Sequence, residues 1–552
     1  MRSCGPSPAG TAIVFRVPEG GQTTQSPIVI ASVVETSPAS IDAAIGRVAR
    51  GGADRVEVRL DAAGGIDPEA IAGSAIVPLI ATCRAIRDGG GFEGTEDERV
   101  ALLARAARTG RFRLDVELDS GAFRLQREHP EWIAVVSHHD AAGIPADLEG
   151  IARRLLGSLQ PGQIAKLVPT ARRLNDCLAV RDLLARLREP RLAAFAMGVA
   201  GIPSRVLCGA WGAAALWAAA DRGRPAATGQ IDLVSLLDLY RFRTITAATR
   251  VYGVAGAPAT GSRSPAIHNA AYANLGYDAV YVPLECAGAD ELMSFARTLP
   301  LAGVSITTPL KESVVPFLDG IDASVQETGA CNTWIGGRGF NTDGQAALEE
   351  IQARIDPAGR PAVVVGAGGA ARAVAFTLAR AGARLTIATR APSPAEGRGR
   401  SGREDLAETL AGGGTELAVT KTLPPAATGR GGAGRGEALA RELGARHCRI
   451  EDLDEDACAV IVQATSAPLD DPVVPDRALR AAFVLDLRYT PLGSARVSAL
   501  CEAAGRLGVP AADGLGMLIR QAGAQIRIFT GREAPFEVLV RAARGSASAP
   551  SL

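Results

Sequence analysis

The sequence predicts an α/β chain built as a closed (β/α)8 barrel followed by a pair of α/β domains, the second a Rossmann nucleotide-binding domain. Three observations predict this. Short apolar segments alternate with amphipathic stretches from residue 27 to residue 245, the pattern of a parallel barrel. The alternation resumes over 249–350. Residues 361–390 (PAVVVGAGGAARAVAFTLARAGARLTIATR) then read as strand, glycine turn, helix and strand, a mononucleotide-binding unit.

Taken in order, residues 1–26 have no long apolar stretch and read as a disordered lead rather than a secretory signal. The expected barrel strands are 28–34, 55–60, 77–83, 112–118, 132–137, 163–168 and 192–197, with the eighth sought in the weak stretch 224–231. Between them, IDAAIGRVARGG (41–52) and DERVALLARAARTG (97–110) repeat apolar residues at helical spacing. In the second part, strands are expected at 250–256, 277–285 and 302–307. A Rossmann domain spans 360–510, and its stretch 391–435, rich in Gly, Pro, Ala and Arg, reads as a flexible insertion. EALARELGA (437–445) is the helix that the insertion displaces, strands follow at 458–466 and 483–491, and helical pattern at 514–530 lies in a closing segment, 511–545.

Composition narrows the function classes. The 552 residues carry 59 basic and 59 acidic side chains, so no electrostatic footprint for nucleic acid exists. No apolar run reaches the ~18 residues of a membrane span. The nine cysteines are scattered with no CxxC pair, which fits a reducing cytoplasm and argues against a disulfide framework or a metal site.

Of the 59 basic residues only Lys166, Lys311 and Lys421 are lysine. Arginine replaces lysine readily on a surface, but not where an amine must lose a proton. A Schiff base or a proton-shuttling ammonium needs lysine.

In the first part, ionisable residues interrupt apolar strands at period two: Glu57 and Arg59 in RVEVRLD, Asp115 and Glu117 in RLDVELD. Arg84 ends LIATCR, His138 and His139 follow VVS, and Lys166 lies inside QIAKLVP. In a parallel barrel the outer strand face is covered by helices, so such residues point to the axis, where charge is costly unless paired. VEVRLD, VELD, SHHD, AKLVP, AMGVAGIPSRVLC and TGQIDL, in that order, resemble the motifs of type I 3-dehydroquinate dehydratases over 27–245. The resemblance implies a TIM barrel, commonly dimeric, so that a homodimer is expected, and an imine-forming Lys166. An iminium is a better electron sink than a ketone, and an amine desolvated in an apolar strand favours its neutral, nucleophilic form. By the same resemblance His139 is the general base and later acid, Glu117 orients it, and Arg205 clamps the substrate carboxylate. Glu57, Arg59, Arg84 and Gln230 hold ring hydroxyls and charges. The loop before Gln230 (AATGQ) departs from the family's usual serine and proline.

In the second part, GAGGAA (366–371) opens a helix, with Gly366, Gly368, Gly369 and Ala370 at the phosphate turn. The second strand ends Ala388-Thr389-Arg390 with no acid for a ribose, which favours NADP over NAD. GSRSPAIHNAAY (261–272), SITTPLK (305–311), ACNTW (330–334), FNTDG (340–344), DLRYTP (486–491) and GLGMLIRQA (514–522) resemble shikimate dehydrogenases over 250–545. That resemblance implies Ser262 and Ser264 on the substrate carboxylate, with Thr307, Asn332, Tyr489 and Gln521 on the rest of the substrate. Lys311 and Asp343 are the catalytic pair, and Gly514 and Met517 join Thr389 and Arg390 around the cofactor. An ammonium beside a carboxylate can protonate the alkoxide that hydride transfer leaves. The usual Asn-Arg-Thr is Ala388-Thr389-Arg390 here, and the usual Asn-Ala-Thr reads Gln463-Ala464-Thr465.

Together these imply a bifunctional shikimate-pathway enzyme: dehydration of 3-dehydroquinate, then NADPH-dependent reduction of 3-dehydroshikimate to shikimate. Two alternatives stay open, an oxidative quinate/shikimate dehydrogenase fusion and a non-catalytic regulator of quinate use built from the same domain types. Ser262 favours shikimate; Lys166, His139, Lys311 and Asp343 weigh against the regulator.

Overall fold

The computed structural model describes residues 26–62, 66–72, 76–86, 89–390, 432–453, 458–490 and 496–545. The expected lead up to residue 25, the insertion up to residue 431 and Lys421 fall outside them. The chain divides into two compact units, Met1–Tyr252 with Asp278–Cys286 and Glu291–Leu301, and Gly253–Tyr277 with Ala287–Asp290 and Ala302–Leu552.

The barrel strands are β1 (Ile28–Val33), β2 (Arg55–Arg59), β3 (Leu79–Thr82), β4 (Phe112–Glu117), β5 (Ile133–Asp140), β6 (Ile164–Pro169), β7 (Leu192–Ala194) and β8 (Ala215–Ala219). They run in the order β7-β6-β5-β4-β3-β2-β1-β8, and the seven pairings are all parallel. At the β7–β8 seam the Ala214 N–H donates to the Leu192 carbonyl at 2.8 Å. The eighth strand is therefore not in 224–231. It is ALWAA, whose alanines lack the β-branched signature of a strand and sit in the run GAAALWAAA, which has the composition of a helix. Helix Glu96–Arg108 starts on a reciprocal cap, with Thr95 accepting from the Glu98 N–H and Glu98 accepting from the Thr95 N–H.

The next strands are β9 (Arg250–Gly256), β10 (Ala279–Glu285), β11 (Gly303–Ile306), β12 (Gly320–Ile321), β13 (Thr333–Ile335) and β14 (Arg338–Phe340). Their sheet order is β10-β9-β11-β13-β14-β12, with β13 antiparallel to β11 and β14. The Rossmann sheet comprises β15 (Pro361–Val365), β16 (Arg384–Thr389), β17 (Arg446–Arg449), β18 (Cys458–Gln463), β19 (Ala481–Asp486) and β20 (Ala511–Ala512), ordered β17-β16-β15-β18-β19-β20 and parallel throughout. Strand order reverses between β15 and β18, the crevice where such sheets bind nucleotides. β15 buries Ala362, Val364 and Val365, and helix Gly369–Arg380 covers one face through Ala371, Val374, Ala375 and Leu378. The short strands β12, β17 and β20 have no signal in the sequence pattern; β13 and β14 have one, the Gly336-Gly337 pair that closes their two-residue hairpin.

Candidate active sites

Parallel pairing sets the barrel's polar residues side by side. Ser32 lies opposite Glu57, Thr82 opposite Asp115, and Ser137 opposite Lys166. All six are buried, so each must find a partner. Glu57 accepts from the Ser32 hydroxyl at 2.6 Å and the Thr82 hydroxyl at 2.9 Å. Asp115 accepts from the Ser137 hydroxyl at 2.5 Å and from Lys166 Nζ at 3.2 Å, while Nζ stands 3.6 Å from Glu57. Burial alone would raise the Glu57 pKa. The nearby Lys166 and Arg59 cations and the Ser32 hydroxyl outweigh it and bring it to about 2. The amine is therefore not in apolar surroundings, as its strand context suggested; it is caged between two carboxylates.

Arg84 reaches Asp115 (3.6 Å) and Glu117 (3.3 Å) and places Nη1 2.7 Å from His139 Nδ1. Glu117, expected to orient His139, is instead held by Arg84 and by Arg99, whose Nη1 donates to it at 3.0 Å. Arg84 is the group that meets the imidazole. Burial, then the cations of Arg84 and Lys166, hold the His139 pKa well below 6.5. His138, the neighbouring histidine, turns to Asp119 at 3.2 Å.

Arg59 spends its fork on Asp61, at 2.9 and 2.6 Å. Gln230 donates to Ser32 Oγ and the Trp217 carbonyl. Arg205 is different. It is 2% exposed, no acid pairs with it among the described residues, its Nε has no acceptor, and its guanidinium lies over the Phe195 ring at 4.9 Å. Burial lowers its pKa to about 10. A buried, unpaired guanidinium is costly and is ready to take an anion.

In the second unit, Lys311 Nζ donates to Asp343 Oδ2 at 2.6 Å. Asn332 Nδ2 donates to Asp343 Oδ1 (2.8 Å) and Gln521 Oε1 (3.2 Å), so four residues from separate motifs converge. Ser262 accepts from the Ser264 N–H at 3.2 Å and bonds the half-buried Tyr489 phenol, whose pKa is raised by desolvation. Thr307 is half-buried at the end of β11.

The glycine turn fits a nucleotide diphosphate. Gly366 has φ +118°, and a Cβ there would meet Thr465 and Ala464 at 3.2–3.3 Å. A Cβ on Gly368 would meet nothing within 4 Å, leaving room over the helix start. Gly369 packs so closely that its Cβ would stand 3.4 Å from Lys311 Cβ, which sets the glycine turn against the Lys311 side chain. Ala370 lies in the first turn of that helix. Gly514 passes against the Leu487 carbonyl, 2.1 Å from where a Cβ would be, and Met517 packs in the nucleotide-domain core. Thr389 is buried and bonded to His447 Nε2 at 2.9 Å, while the exposed Arg390 pairs with Asp471. Of these two, only Arg390 is accessible to a 2′-phosphate.

Sequence reasoning left Asp115, Arg99 and Gln525 out of the sites. Asp115 had a signal, its alternation with Glu117. Gln525 follows Gln521 by one helical turn and holds the Asn332 carbonyl (3.2 Å) and Thr333 (3.0 Å).

Comparison with known proteins gives three family matches: type I 3-dehydroquinase over residues 29–247, the shikimate dehydrogenase substrate binding domain over 254–334 and the shikimate 5′-dehydrogenase C-terminal domain over 514–544. The chain is 29% identical to the bifunctional 3-dehydroquinate dehydratase/shikimate dehydrogenase, chloroplastic, of Arabidopsis thaliana, covering 88% of this chain and 79% of that one. It is 34% identical to the shikimate dehydrogenase (NADP(+)) of Moorella thermoacetica (56% of this chain, 97% of the relative) and 36% identical to the 3-dehydroquinate dehydratase of Dehalococcoides mccartyi (34% and 86%).

Proposed function

Since the chain belongs to the type I 3-dehydroquinase family in its first part and to the shikimate dehydrogenase family in its second, we propose that Lys166 and Lys311 divide the chemistry between them. It is a 3-dehydroquinate dehydratase and an NADP-dependent shikimate dehydrogenase in one chain. The dehydratase occupies 27–245. Residues 249–350 bind the second substrate, 360–510 the nucleotide, and 511–545 complete that site. One observation carries the assignment of residues: each unit sets a lysine amine against a buried carboxylate, Lys166 on Asp115 and Lys311 on Asp343.

In the barrel, the Lys166 ammonium and the substrate ketone condense to an iminium, two of the three ammonium protons leaving with the carbonyl oxygen as water. Arg205 receives the carboxylate. Arg84 can only donate, so His139 Nδ1 accepts from it and a neutral ring carries its proton on Nε2. When Arg84 turns to a substrate oxygen, the Nδ1 lone pair is released to remove the proton next to the iminium carbon. The enamine then expels the β-hydroxyl, which leaves as water with that proton. Hydrolysis of the conjugated iminium returns the ammonium and the enone.

In the second site, the turn of Gly366, Gly368 and Gly369 would hold NADPH, which would supply the hydride for the ring ketone. Lys311 gives the resulting alkoxide its proton, and Asp343, fixed by Asn332, holds the amine. Ser262 and Ser264 take the carboxylate. A homodimer and a cytoplasmic location belong to the same reading; no helix among the described residues is long and apolar enough to cross a membrane, and sedimentation tests the dimer.

Borohydride reduction in the presence of 3-dehydroquinate, followed by peptide mapping, tests the assignment. Label is expected on Lys166 alone; label elsewhere, or none, overturns it.

A further inference from the structure

The amine of Lys166 has a third neighbour besides its carboxylates. Nζ stands 4.3 Å from the centre of the Trp217 ring. Trp217 comes from β8 and is 3% exposed. Its ring lies 6.0 Å from that of Phe195, tilted by 37°, and Phe195 in turn carries the Arg205 guanidinium on its face. Two aromatic rings thus run from the covalent anchor to the carboxylate anchor, with a cation at each end. The Trp217 indole N–H is buried and has no acceptor among the described residues, so hydrogen bonding is not what places the ring.

We propose that Trp217 is a positioning residue of the dehydration reaction, its π face holding the cationic nitrogen of the Lys166–substrate iminium, with Phe195 extending the same aromatic wall to the carboxylate site. The inference rests on the imine assignment above.

The argument turns on what condensation does to the nitrogen. The ammonium has three N–H donors and can satisfy Asp115 and Glu57 together. The iminium keeps one. It therefore loses hydrogen bonds to the carboxylates while keeping its positive charge, and a neighbour that attracts charge without needing a donor gains relative weight. An aromatic face is such a neighbour, and its attraction is stronger where water is excluded. The iminium nitrogen is also flat, and can lie along the ring where a tetrahedral ammonium cannot. The ring thus favours the reacting species over the resting one, the condition for raising kcat rather than only lowering KM.

The test uses the full-length protein with Trp217→Leu and Trp217→Phe. Trp217→Leu removes the π face; Trp217→Phe keeps a π face and removes the indole N–H. The expected result for Trp217→Leu is a fall of about 10- to 30-fold in dehydration kcat with KM nearly unmoved, and a matching fall in borohydride label on Lys166 at fixed time. Trp217→Phe should recover kcat to within about threefold. Shikimate dehydrogenase turnover in both variants should stay at the parent value, and the urea midpoint of the barrel should stay close to that of the parent, which excludes loss of the barrel fold. An undiminished kcat in Trp217→Leu overturns the proposal, as does equal damage in the two variants, since that points to volume or the N–H. Absence of label in the unsubstituted protein overturns the imine assignment and this inference with it. Label present in that protein and undiminished in Trp217→Leu overturns this inference alone.

Discussion

Arg84 Nη1 lies 2.7 Å from His139 Nδ1, so the imidazole proposed as the base of the barrel site stands beside a permanent cation. Burial comes first, and Arg84 next, in holding the imidazole neutral well below pH 6.5. A base acts when unprotonated, so kcat/KM for dehydration should climb with pH through the His139 pKa and already be level at pH 6.5. A pH–rate profile measures this. In Arg84→Gln the acid limb should move upward, toward 6.5, on a lower plateau. An acid limb at or above 6.5 in the unsubstituted protein would contradict the arrangement.

Arg205 sets stability against function. Its guanidinium is buried with no acid against it among the described residues, a state that folding does not favour and an incoming carboxylate relieves. Arg205→Met keeps a comparable apolar volume and removes the charge. The barrel should become more stable by about 1–3 kcal/mol, read as a higher urea midpoint. Dehydration kcat/KM should drop roughly a hundredfold, mostly through KM, because a charge-assisted pair is worth up to about 3 kcal/mol. A variant both less stable and fully active would show that Arg205 is a structural residue.

The sites were legible for a physical reason. Charged residues on alternate positions of strands buried on both faces have few places to go, so Glu57, Glu117 and Lys166 announced a polar barrel axis before any coordinates. What pattern could not supply was pairing. Glu117 reads as the partner of His139, but which cation stands between two acids depends on side-chain reach across strands, and Arg84 occupies that place. β8 was missed because alanine carries no strand signature; its order comes from closing the barrel against β1. Thr389 shows the converse: its position at the end of β16 suggested a cofactor contact, yet helix Gly432–Glu442 brings Gly436 against it and His447 takes its hydroxyl. That packing partner lies more than 40 residues away in sequence, beyond local reading.

Gly366 couples backbone strain to nucleotide binding. Its φ of +118° is outside the region L-residues adopt, and a Cβ would press on Ala464 and Thr465. Gly366→Ala should therefore destabilise the nucleotide domain by about 1–3 kcal/mol and weaken NADPH binding, measured by fluorescence titration without turnover. Dehydration, whose residues lie in the other unit, should be unaffected. Unchanged NADPH affinity would place the diphosphate elsewhere.

The arginine-rich composition suggests the sharpest test of the two lysines, because it supplies the substitution the chain uses everywhere else. Lys311→Arg keeps a cation that can still pair with Asp343, so NADPH and shikimate should bind much as before. A guanidinium does not release a proton near neutral pH, so the alkoxide is left without its acid, and kcat for reduction should fall by about 10²–10⁴. Lys166→Arg can still face Asp115, but it has no amine to condense with a ketone, so dehydration and borohydride labelling should both vanish. Each variant should leave the other activity at its parent level, measured by separate assays of enone formation and NADPH oxidation. If Lys311→Arg reduced at the normal rate, the proton must come from another group or from water, and the ammonium would be serving only as a charge.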